Sequence, residues 1–462
     1  MALDAFLAAL GPVEATTEPK LVKAKSRDWH FISPLLTKTL DGLVAEAVVT
    51  PKTAEEVRAV AAAAYAHDVA LTPRGTGTAN YGQSVPLHGG AMLDLSKLSG
   101  VIEVGSGFIR AYAGTRIADL EAAAAASGQE LRFFPTTKKQ ATIGGFVTGG
   151  TGGVGSINYG VLRDHGNVRS ARVVTVEETP REIELSGMET RIVQHSYGTL
   201  GIVTEVEMPL APLRDWEECL VALPDYPSAV RLAVAIGKEP GLEKKLASAY
   251  EWPVGEWLKP FAPFVPEGQS IVIAMIEAAS MPLFREMVAE AGGAIVAGGP
   301  EGQAPYGRPI WEFAFGHTTL QAQKTRPDIT EIEGFFSAPD LAARILDVHG
   351  AIKASGPMRI EIRRWGGELV GSGSTFVTFT DETAVNAVVT AMRAMGLKVA
   401  NPHASNVRGV GKKTIGPAEI AFKREVDPKG LLNPGRFEAE GSADTVIDRH
   451  LDTDGWLDRQ PG

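Results

Sequence analysis

The chain has 462 residues, a formal net charge of −10 and an isoelectric point near 5.5. This acidic balance argues against nucleic acid as the main partner. A hydrophobic content of 44% is ordinary for a globular protein. No apolar run reaches the ~18–20 residues that a membrane span needs. The length predicts two domains or one elaborate domain.

The single cysteine, Cys219, excludes an internal disulfide and fits a reducing compartment. Residues 1–10 lack a basic leader and a cleavage pattern, so we expect no secretion signal. This segment predicts a short amphipathic helix. Together these features favour a cytoplasmic location.

The first strong pattern is a helix followed by a strand and a glycine-rich loop. The run 50–53 opens a predicted helix over residues 54–67, and residues 69–72 predict a short buried strand. The next stretch, 73–82, reads Pro-Arg-Gly-Thr-Gly-Thr-Ala-Asn-Tyr-Gly. A glycine-rich turn after a strand leaves backbone N–H groups free to point at an anion. A tight loop without a ligand is the alternative for such a loop taken alone.

A second glycine-rich run follows Pro135 and holds seven glycines within residues 144–155. Such a run is entropically costly to order, and it persists in a compact domain when a ligand lies against the backbone. Its apolar, strand-like flanks argue against a disordered linker. Two glycine-rich turns in one domain fit a large ligand with a pyrophosphate and ring systems.

The rest of the chain alternates strands and helices. We predict helices over 117–127, 228–236, 282–290, 340–355 and 382–395, and strands over 173–176, 192–193, 216–223, 271–277, 331–336 and 376–379. This rhythm, with an antiparallel character from residue 216 onward, predicts an α+β sheet with helices on one face. The proline- and aromatic-rich segment 252–268 is expected to be either a mobile lid or a long packed loop.

Several motifs together carry a resemblance to a known family. They are Val-Val-Thr-Pro-Lys-Thr-Ala-Glu-Glu-Val at 48–57, the loop 73–82, Thr-Ile-Gly-Gly at 142–145, Tyr-Gly at 159–160, the run 197–204, and the C-terminal run 422–436. In this order they resemble the FAD-binding domain of the vanillyl-alcohol-oxidase-type (PCMH-type) flavoproteins. The loop 73–82 lacks the spacing of the G-x-G-x-x-G dinucleotide fingerprint.

The resemblance implies an organisation and an activity. The expected domains are an FAD-binding part at 1–215, with its core at about 43–213, a substrate or cap domain at 216–399, and a C-terminal segment at 400–462 that returns to the FAD domain. The expected activity is FAD-dependent oxidation of a C–OH substrate by hydride transfer, with an aromatic alcohol as one substrate class. Two alternatives stay open: a flavoprotein subunit of a larger electron-transfer complex, and a 2-hydroxy-acid dehydrogenase of the D-lactate or glycolate type. The electron acceptor is O₂ or an unknown redox partner, and a homodimer is one assembly that we leave open.

The resemblance also implies cofactor-binding residues. They are Arg74, Gly75, Thr76, Gly77 and Thr78 at the pyrophosphate, with Asn80, Tyr81, Gly82, Pro135, Thr142, Gly144, Gly145, Gly149, Ser156, Tyr159, Gly198, Gly201, Ile202, Val203, Asn433 and Arg436 around the rest of FAD. For Arg74 and Arg436 a surface ion pair is the alternative.

Many relatives tether the flavin through a histidine in the first glycine loop. Here Thr76 and Thr78 occupy the comparable positions, and Cys219 lies in the other predicted domain. We therefore expect dissociable FAD, with His165 and His403 as the remaining candidates for a covalent bond.

Candidate catalytic residues lie in the second half of the chain. His317 follows the apolar, strand-like run 311–315 and is predicted as a general base or a hydrogen-bonded helix cap. His403 is the second candidate histidine, with a turn residue as its alternative. Arg359, Glu361 and Arg363 share one strand face, which can hold a carboxylate if it faces the flavin, or form salt bridges if it faces water.

A histidine-rich H-x-G-D-G-N-x-H motif, which the glycolate and D-lactate dehydrogenase branch often carries, is absent from this sequence. We therefore predict no metal. Aromatic residues at 252, 257, 261, 264, 365 and within 311–315 can line an aromatic pocket or pack in the core. They tilt the prediction only slightly towards an aromatic substrate.

Overall fold

A computed structural model describes residues 2–437; residue 1 and residues 438–462, which end the predicted C-terminal segment, lie outside the described part. The N-terminal portion forms a four-stranded sheet in the order β1-β2-β4-β3. Strands β2, β4 and β3 run parallel, and β1 pairs with β2 in the antiparallel direction. The elements are α1 (Ala2–Ala9), β1 (Glu14–Thr16), α2 (Pro19–Lys25), α3 (Pro34–Leu40), β2 (Ala47–Thr50), α4 (Ala54–His67), β3 (Leu71–Arg74) and β4 (Ala91–Asp94).

Helix α4 has the bounds that the sequence predicts. The Thr53 hydroxyl accepts a hydrogen bond from the backbone N–H of Glu56, which caps the helix, and acidic residues occupy its first turn. Its apolar face, including Val57 and Val60, is buried against this sheet.

The second sheet has six antiparallel strands, built around the long strand β10. Its core path is β5-β6-β10-β8-β9, and β7 pairs with the end of β10. The elements are β5 (Val101–Gly105), β6 (Phe108–Tyr112), α5 (Ile117–Ala125), β7 (Gln129–Leu131), α6 (Ile143–Gly149), α7 (Ser156–Tyr159), β8 (Ser170–Val174), β9 (Glu182–Ser186) and β10 (Ile202–Pro212).

The third sheet has eight antiparallel strands in the order β14-β11-β13-β12-β16-β17-β15-β18. Helices α8, α10, α12 and α13 pack on one face, and the other face joins the core of the second sheet. The predicted α+β fold is confirmed. The elements are β11 (Trp216–Leu223), α8 (Tyr226–Lys238), β12 (Lys244–Tyr250), α9 (Val254–Trp257), β13 (Ser270–Glu277), α10 (Met281–Glu290), β14 (Ala294–Pro300), α11 (Gly316–Ala322), β15 (Ile329–Phe336), α12 (Leu341–Ile352), β16 (Met358–Trp365), β17 (Glu368–Thr378), α13 (Glu382–Ala394) and β18 (Lys398–Ala400).

The end of the described chain returns to the first sheet through α14 (Val407–Val410) and α15 (Pro417–Val426). Leu432 forms a parallel bridge with Leu71 at the edge strand β3. The backbone N–H of Asn433 donates to the carbonyl of Leu71 at 2.8 Å, and its side-chain amide donates to the carbonyls of Gln83 and Tyr197. This return closes the sheet edge next to the first glycine-rich loop.

Three local predictions are wrong. Residues 192–193 do not form a strand, because the chain turns there through a 3-10 helix, Gly187–Ile192. The second glycine run does not follow a strand-like flank, because its first residues lie in helix α6, which Thr142 caps. The run 311–315 is not strand-like either, since Ile310–Phe313 form a 3-10 helix after Pro309.

The segment 252–268 is a packed loop. The side chains of Leu258 and Phe261 are fully buried, and Trp257 is 8% exposed. Helix α9 supplies the only regular element in this described segment. Of the two alternatives that the sequence left open, the structure favours the packed loop.

Candidate active site

A groove runs between the two glycine-rich loops and encloses about 1270 Å³ of empty space, open solvent at its mouth included. The first loop, after β3, forms one wall. The second run, with α6, forms another, and the turn before β10 completes it. Of the predicted cofactor residues, the groove is lined by Arg74, Gly75, Thr76, Gly77, Thr78, Asn80, Pro135, Thr142, Gly144, Gly145, Gly149, Gly198, Gly201 and Val203.

The first loop presents unused backbone donors to the groove. The N–H groups of Thr76, Gly77 and Thr78 donate to no acceptor in residues 2–437. Gly77 has a φ of +75°, a conformation that L side chains rarely adopt. Successive free N–H groups in such a turn form a concavity that suits an anion.

The side chain of Arg74 holds this loop through hydrogen bonds to backbone carbonyls. Its guanidinium donates to the carbonyls of Lys25, Arg27 and Thr76, the last at 3.0 Å. It lines the groove, yet these donors already serve protein carbonyls. Arg74 is only 8% exposed, so it is not the surface ion-pair residue that the sequence left as the alternative.

The two glycine-rich walls lie closer together than side chains would allow. A Cβ atom at Gly75 would lie 2.1 Å from the Thr142 hydroxyl oxygen, and one at Gly144 would lie 2.7 Å from the Ala113 Cβ. The groove therefore needs glycine at these two points. Its unused N–H groups and narrow, backbone-lined walls fit a long ligand with an anionic centre and flat rings, which is the chemistry of FAD.

Seven predicted cofactor residues do not line the groove: Tyr81, Gly82, Ser156, Tyr159, Ile202, Asn433 and Arg436. They support it from behind. The fully buried Arg436 donates to the carbonyls of Ser405 and Val85, both at 2.7 Å, and the Tyr81 hydroxyl accepts from Lys412 at 2.9 Å. The side-chain hydroxyl of Ser156 accepts from the backbone N–H of Gly153. The sequence motifs that contain these residues therefore indicate a supporting position near the ligand rather than contact with it.

His317 lies at one end of the groove, in the first turn of α11. Its ring lies 5.7 Å from the ring of Trp29, centroid to centroid. Burial lowers the pKa of His317 to about 4, although the nearby Glu312 carboxylate and backbone favour the charged form. His317 is therefore a neutral base at physiological pH, and it does not cap the helix, whose N-cap is Phe315.

The residue before this helix is held in an unusual conformation. Phe315 has φ 52° and ψ −144°, and its backbone N–H donates to the Glu361 carboxylate at 2.7 Å. Glu361 is paired in turn with Arg359, whose guanidinium also contacts Glu331 and Ser374 at 3.0 Å each.

The strand face of Arg359, Glu361 and Arg363 therefore faces neither the groove nor water. All three side chains are buried. The terminal nitrogens of Arg359 donate to Glu331, Glu361 and Ser374, and Arg359 does not line the groove, so this geometry does not support its predicted role as a carboxylate clamp. Arg363 lies over the rings of Phe335 and Trp365, at 5.2 and 5.3 Å from their centroids, and does not line the groove.

His403 also lies outside the groove. Its Nδ1 is 2.6 Å from the hydroxyl of Ser33, and burial lowers its pKa to about 4. It therefore occupies a buried, hydrogen-bonded position, and its predicted place in the active site is not supported by the geometry. His165, the other candidate for a flavin bond, is an exposed residue away from the groove.

Sequence reasoning missed Trp29 and Gln83, which both line the groove. Trp29 comes from the segment before β2, and its backbone N–H donates to the carbonyl of Ala79 at 2.7 Å. The available signal was an isolated tryptophan between Asp28 and His30, which are buried and paired with each other at 2.9 Å. A tryptophan in so polar a run outside any periodic element indicates a specific contact.

Two other features, a metal-binding cluster and a membrane-spanning helix, are absent from residues 2–437. No three histidine, cysteine, aspartate or glutamate side chains come together in a group that could hold a metal ion. No helix in the same range combines the length and apolar character that crossing a bilayer requires.

Comparison with known proteins identifies the class of this site. Residues 45–183 match the family model of the FAD binding domain. Residues 45–183 are therefore an FAD-binding domain, as the motifs predicted, and FAD is the cofactor of that domain.

Curated relatives align with the same part of the chain. Glycolate oxidase subunit GlcD of Bacillus subtilis is 29% identical over 187 residues, which cover 38% of this chain and 39% of that protein. D-lactate dehydrogenase of Anaerostipes hadrus is 28% identical over 206 residues, 39% of this chain and 42% of that protein. The chain thus spans about two fifths of the length of these relatives.

Solved structures match over nearly the whole chain. Two crystal structures of alkyldihydroxyacetonephosphate synthase have TM-scores of 0.67 and 0.68, with 16% and 17% sequence identity. The matches cover 93% and 94% of this chain and 84% and 85% of those chains. This likeness shows that all three sheets follow a known fold.

Proposed function

We propose that this protein is an FAD-dependent oxidoreductase that oxidises a C–OH group. The observation that carries the proposal is the groove itself, which has free backbone donors at one wall and a neutral, buried histidine at its end. The names of the relatives, glycolate oxidase subunit and D-lactate dehydrogenase, support the same class of reaction. The proposed location remains the cytoplasm.

The roles of the residues follow from their geometry. The N–H groups of Thr76, Gly77 and Thr78 would hold the pyrophosphate, and the backbone at Gly144, Gly145 and Gly149 would lie along the ring system. Bound FAD supplies the acceptor for a hydride from the carbinol carbon. Neutral His317 takes the proton from the substrate hydroxyl, so that a carbonyl product forms.

Burial of His317 keeps its imidazole in the form that can accept a proton. The low pKa keeps the ring unprotonated before the reaction. The nearby Glu312 carboxylate favours the protonated form once it has accepted the proton. Trp29 packs near the imidazole ring and excludes water from one side of it.

A hydroxy acid is the substrate class that the relatives favour, because two of their names specify glycolate or D-lactate. An aromatic alcohol remains the second class. Trp29 and Trp311 line the same cavity as His317, which is the observation in its favour.

The experiment that tests the proposal is anaerobic mixing of the FAD-loaded protein with a panel of 2-hydroxy acids and benzylic alcohols. Bleaching of the oxidised flavin absorbance by any member supports the activity and assigns its class. Failure of every member, with FAD bound, would contradict oxidation of these C–OH substrates.

A subunit of a larger electron-transfer complex is the second candidate function, which the word subunit in one relative's name favours. Steady-state turnover with O₂ or a dye as acceptor separates the two. A protein that reduces its flavin but turns over only when an iron–sulfur partner is added would be such a subunit.

A further inference from the structure

A second cavity, of about 710 Å³ of empty space with open solvent at its mouth included, adjoins the groove. The two spaces share Trp29, Thr136, Thr137 and His317 as walls, so His317 lies where they meet. The lining of the second cavity includes the apolar side chains of Trp29, Trp311 and Leu320. We call this space the antechamber.

The antechamber carries an excess of positive charge. Its lining includes Lys139, Arg308 and Lys324, and Glu312 is its only acidic lining residue in the described chain. Lys139 pairs with Glu312 at 2.7 Å, and Arg308 pairs with the other oxygen of the same carboxylate. One carboxylate thus serves two cations in a chain whose net charge is −10.

Within residues 2–437, Lys324 forms no ion pair with a carboxylate. Its ammonium donates to the side-chain carbonyl of Gln321 at 2.7 Å. Partial burial lowers the pKa of Lys324, and the nearby Arg308 charge lowers it further. An anion bound here would relieve both effects, because it would supply the missing counter-charge.

The positive charge of the antechamber lies at a distance from His317, the proposed base. Lys324 follows His317 by seven residues and lies two residues past the end of α11, in a turn where its backbone N–H donates to the carbonyl of Gln321. At the rise of a helix, seven residues correspond to roughly 10 Å. Trp311 and Leu320 line the same cavity as both of these residues. A ligand spanning the antechamber would therefore have an apolar middle and two different ends.

We infer that the antechamber is a binding subsite for an oxyanion carried by the substrate, remote from the carbon that is oxidised. This inference rests on the proposed function and deepens it. The substrate class is an elongated acid: a C–OH group at His317, a flat or apolar middle against the two tryptophans, and a carboxylate or phosphate between Arg308 and Lys324. The same field would draw anions towards an otherwise acidic protein.

The test is binding, not turnover. Ligand-observed NMR titration of the oxidised, FAD-loaded protein would measure the dissociation constants of benzoate, phenyl phosphate and the uncharged benzamide. We expect at least one oxyanion to bind about tenfold more tightly than benzamide, because charge-assisted hydrogen bonds add to ring stacking. The tighter of the two acids identifies carboxylate or phosphate as the preferred group.

Variants decide whether the antechamber is responsible. Lys324→Gln combined with Arg308→Gln should abolish the preference for the oxyanion, whereas Lys353→Gln, an exposed charge elsewhere on the protein, should leave it intact. Lys324→Gln alone should also weaken oxyanion binding. This single variant keeps the test possible if the double variant fails to fold because Arg308 is needed for stability. Equal binding of all three probes, or an unchanged preference in the double variant, would overturn the inference. Because no turnover is measured, this failure is distinct from failure of the flavin to be reduced.

Discussion

The carboxylate of Glu361 accepts a hydrogen bond from the backbone N–H of Phe315 at 2.7 Å, across 46 residues of sequence. Phe315 has φ 52° and ψ −144°, a conformation that costs a non-glycine residue of the order of 1–3 kcal/mol. Its neighbour Gly316 begins the helix that carries His317. The contact with Glu361 therefore helps to fix the position of the proposed base.

Replacing Glu361 with alanine should displace His317 at one end of the groove and leave the free N–H groups of the first glycine-rich loop in place. We expect the rate of flavin reduction to fall by about 10- to 100-fold, since small displacements of a catalytic group have effects of this size. Stopped-flow absorbance would give this rate, and a fluorescence titration would show an unchanged FAD affinity.

The conservative change Glu361→Gln is the matched control for this prediction. Glutamine keeps the oxygen that accepts from Phe315, so it should restore much of the rate. An exposed carboxylate on the neighbouring strand, Glu368, serves as the control for a general loss of charge. If Glu361→Ala reduces flavin at the parental rate, Glu361 does not position His317.

His317→Ala removes the proposed base itself. The rate of flavin reduction should fall by ~10²-fold or more. The parental rate should be constant across neutral pH and fall only as the pH drops through about 4, where His317 becomes protonated. His88→Ala, at an exposed histidine, is the control. A rate that instead falls near pH 6.5 would indicate a different, exposed titrating group.

Gly75→Ala should separate the two walls of the FAD groove. The added Cβ would lie 2.1 Å from the Thr142 hydroxyl oxygen, and one of the two loops must move. We expect the FAD dissociation constant to rise at least about tenfold, measured by titration of the apoprotein, with little change in the unfolding temperature. Gly350→Ala is the matched control, because a Cβ there meets nothing within 4 Å. Parental FAD affinity in Gly75→Ala would show that the close approach is unimportant.

Acid should destabilise the folded protein through its buried histidines. Burial lowers the pKa of His195 to about 3 and the pKa values of His317 and His403 to about 4. The unfolded chain takes up protons at these residues below about pH 6.5 while the folded chain does not, so the free energy of unfolding falls as the pH decreases from about 6.5 to 4.

Each of these histidines contributes on the order of 3 kcal/mol of this loss by pH 4. Urea unfolding at pH 7.5, 6.0 and 5.0 would measure the slope, and His403→Gln should flatten it. A slope that His403→Gln leaves unchanged would show that His403 is not held neutral by the fold.

The cofactor should dissociate when the protein is unfolded by acid. Thr76 and Thr78 occupy the loop positions where a tethering histidine would lie, and neither His165 nor His403 lines the groove. After precipitation with trichloroacetic acid, the yellow colour should appear in the supernatant. Colour in the pellet would reveal a covalent bond, and His317, which does line the groove, would be the residue to replace first.

Local sequence patterns predicted the parts of the fold that depend on interactions between residues close in sequence. Helix α4 and strand β11 have the predicted bounds or nearly so, because a Thr53 cap and a continuous apolar strand specify them within a short stretch. The two glycine-rich walls were predicted because their backbone requirements appear directly in the composition.

The remainder of the site depends on contacts between distant residues. The strained conformation of Phe315 follows from Glu361, and the pairing of Arg359 with Glu331 follows from the order of strands in the third sheet. Trp29 reaches the groove from a segment with no regular periodicity. Sequence spacing alone contains none of these relationships, so Arg359 and His403 were predicted in the active site and Trp29 was missed.

The bridge between Leu71 and Leu432 has a consequence for synthesis of the protein. Roughly 360 residues separate the two partners, which at about 5–20 residues per second takes the ribosome about 20–70 s. Throughout that interval strand β3 has an open edge, which is a hazard for aggregation. Asn433, which joins Gln83 to Tyr197, is also absent until then. The nascent chain therefore completes its cofactor groove only after residue 433 has been synthesised, and a chaperone that shields this edge would raise the yield of active protein.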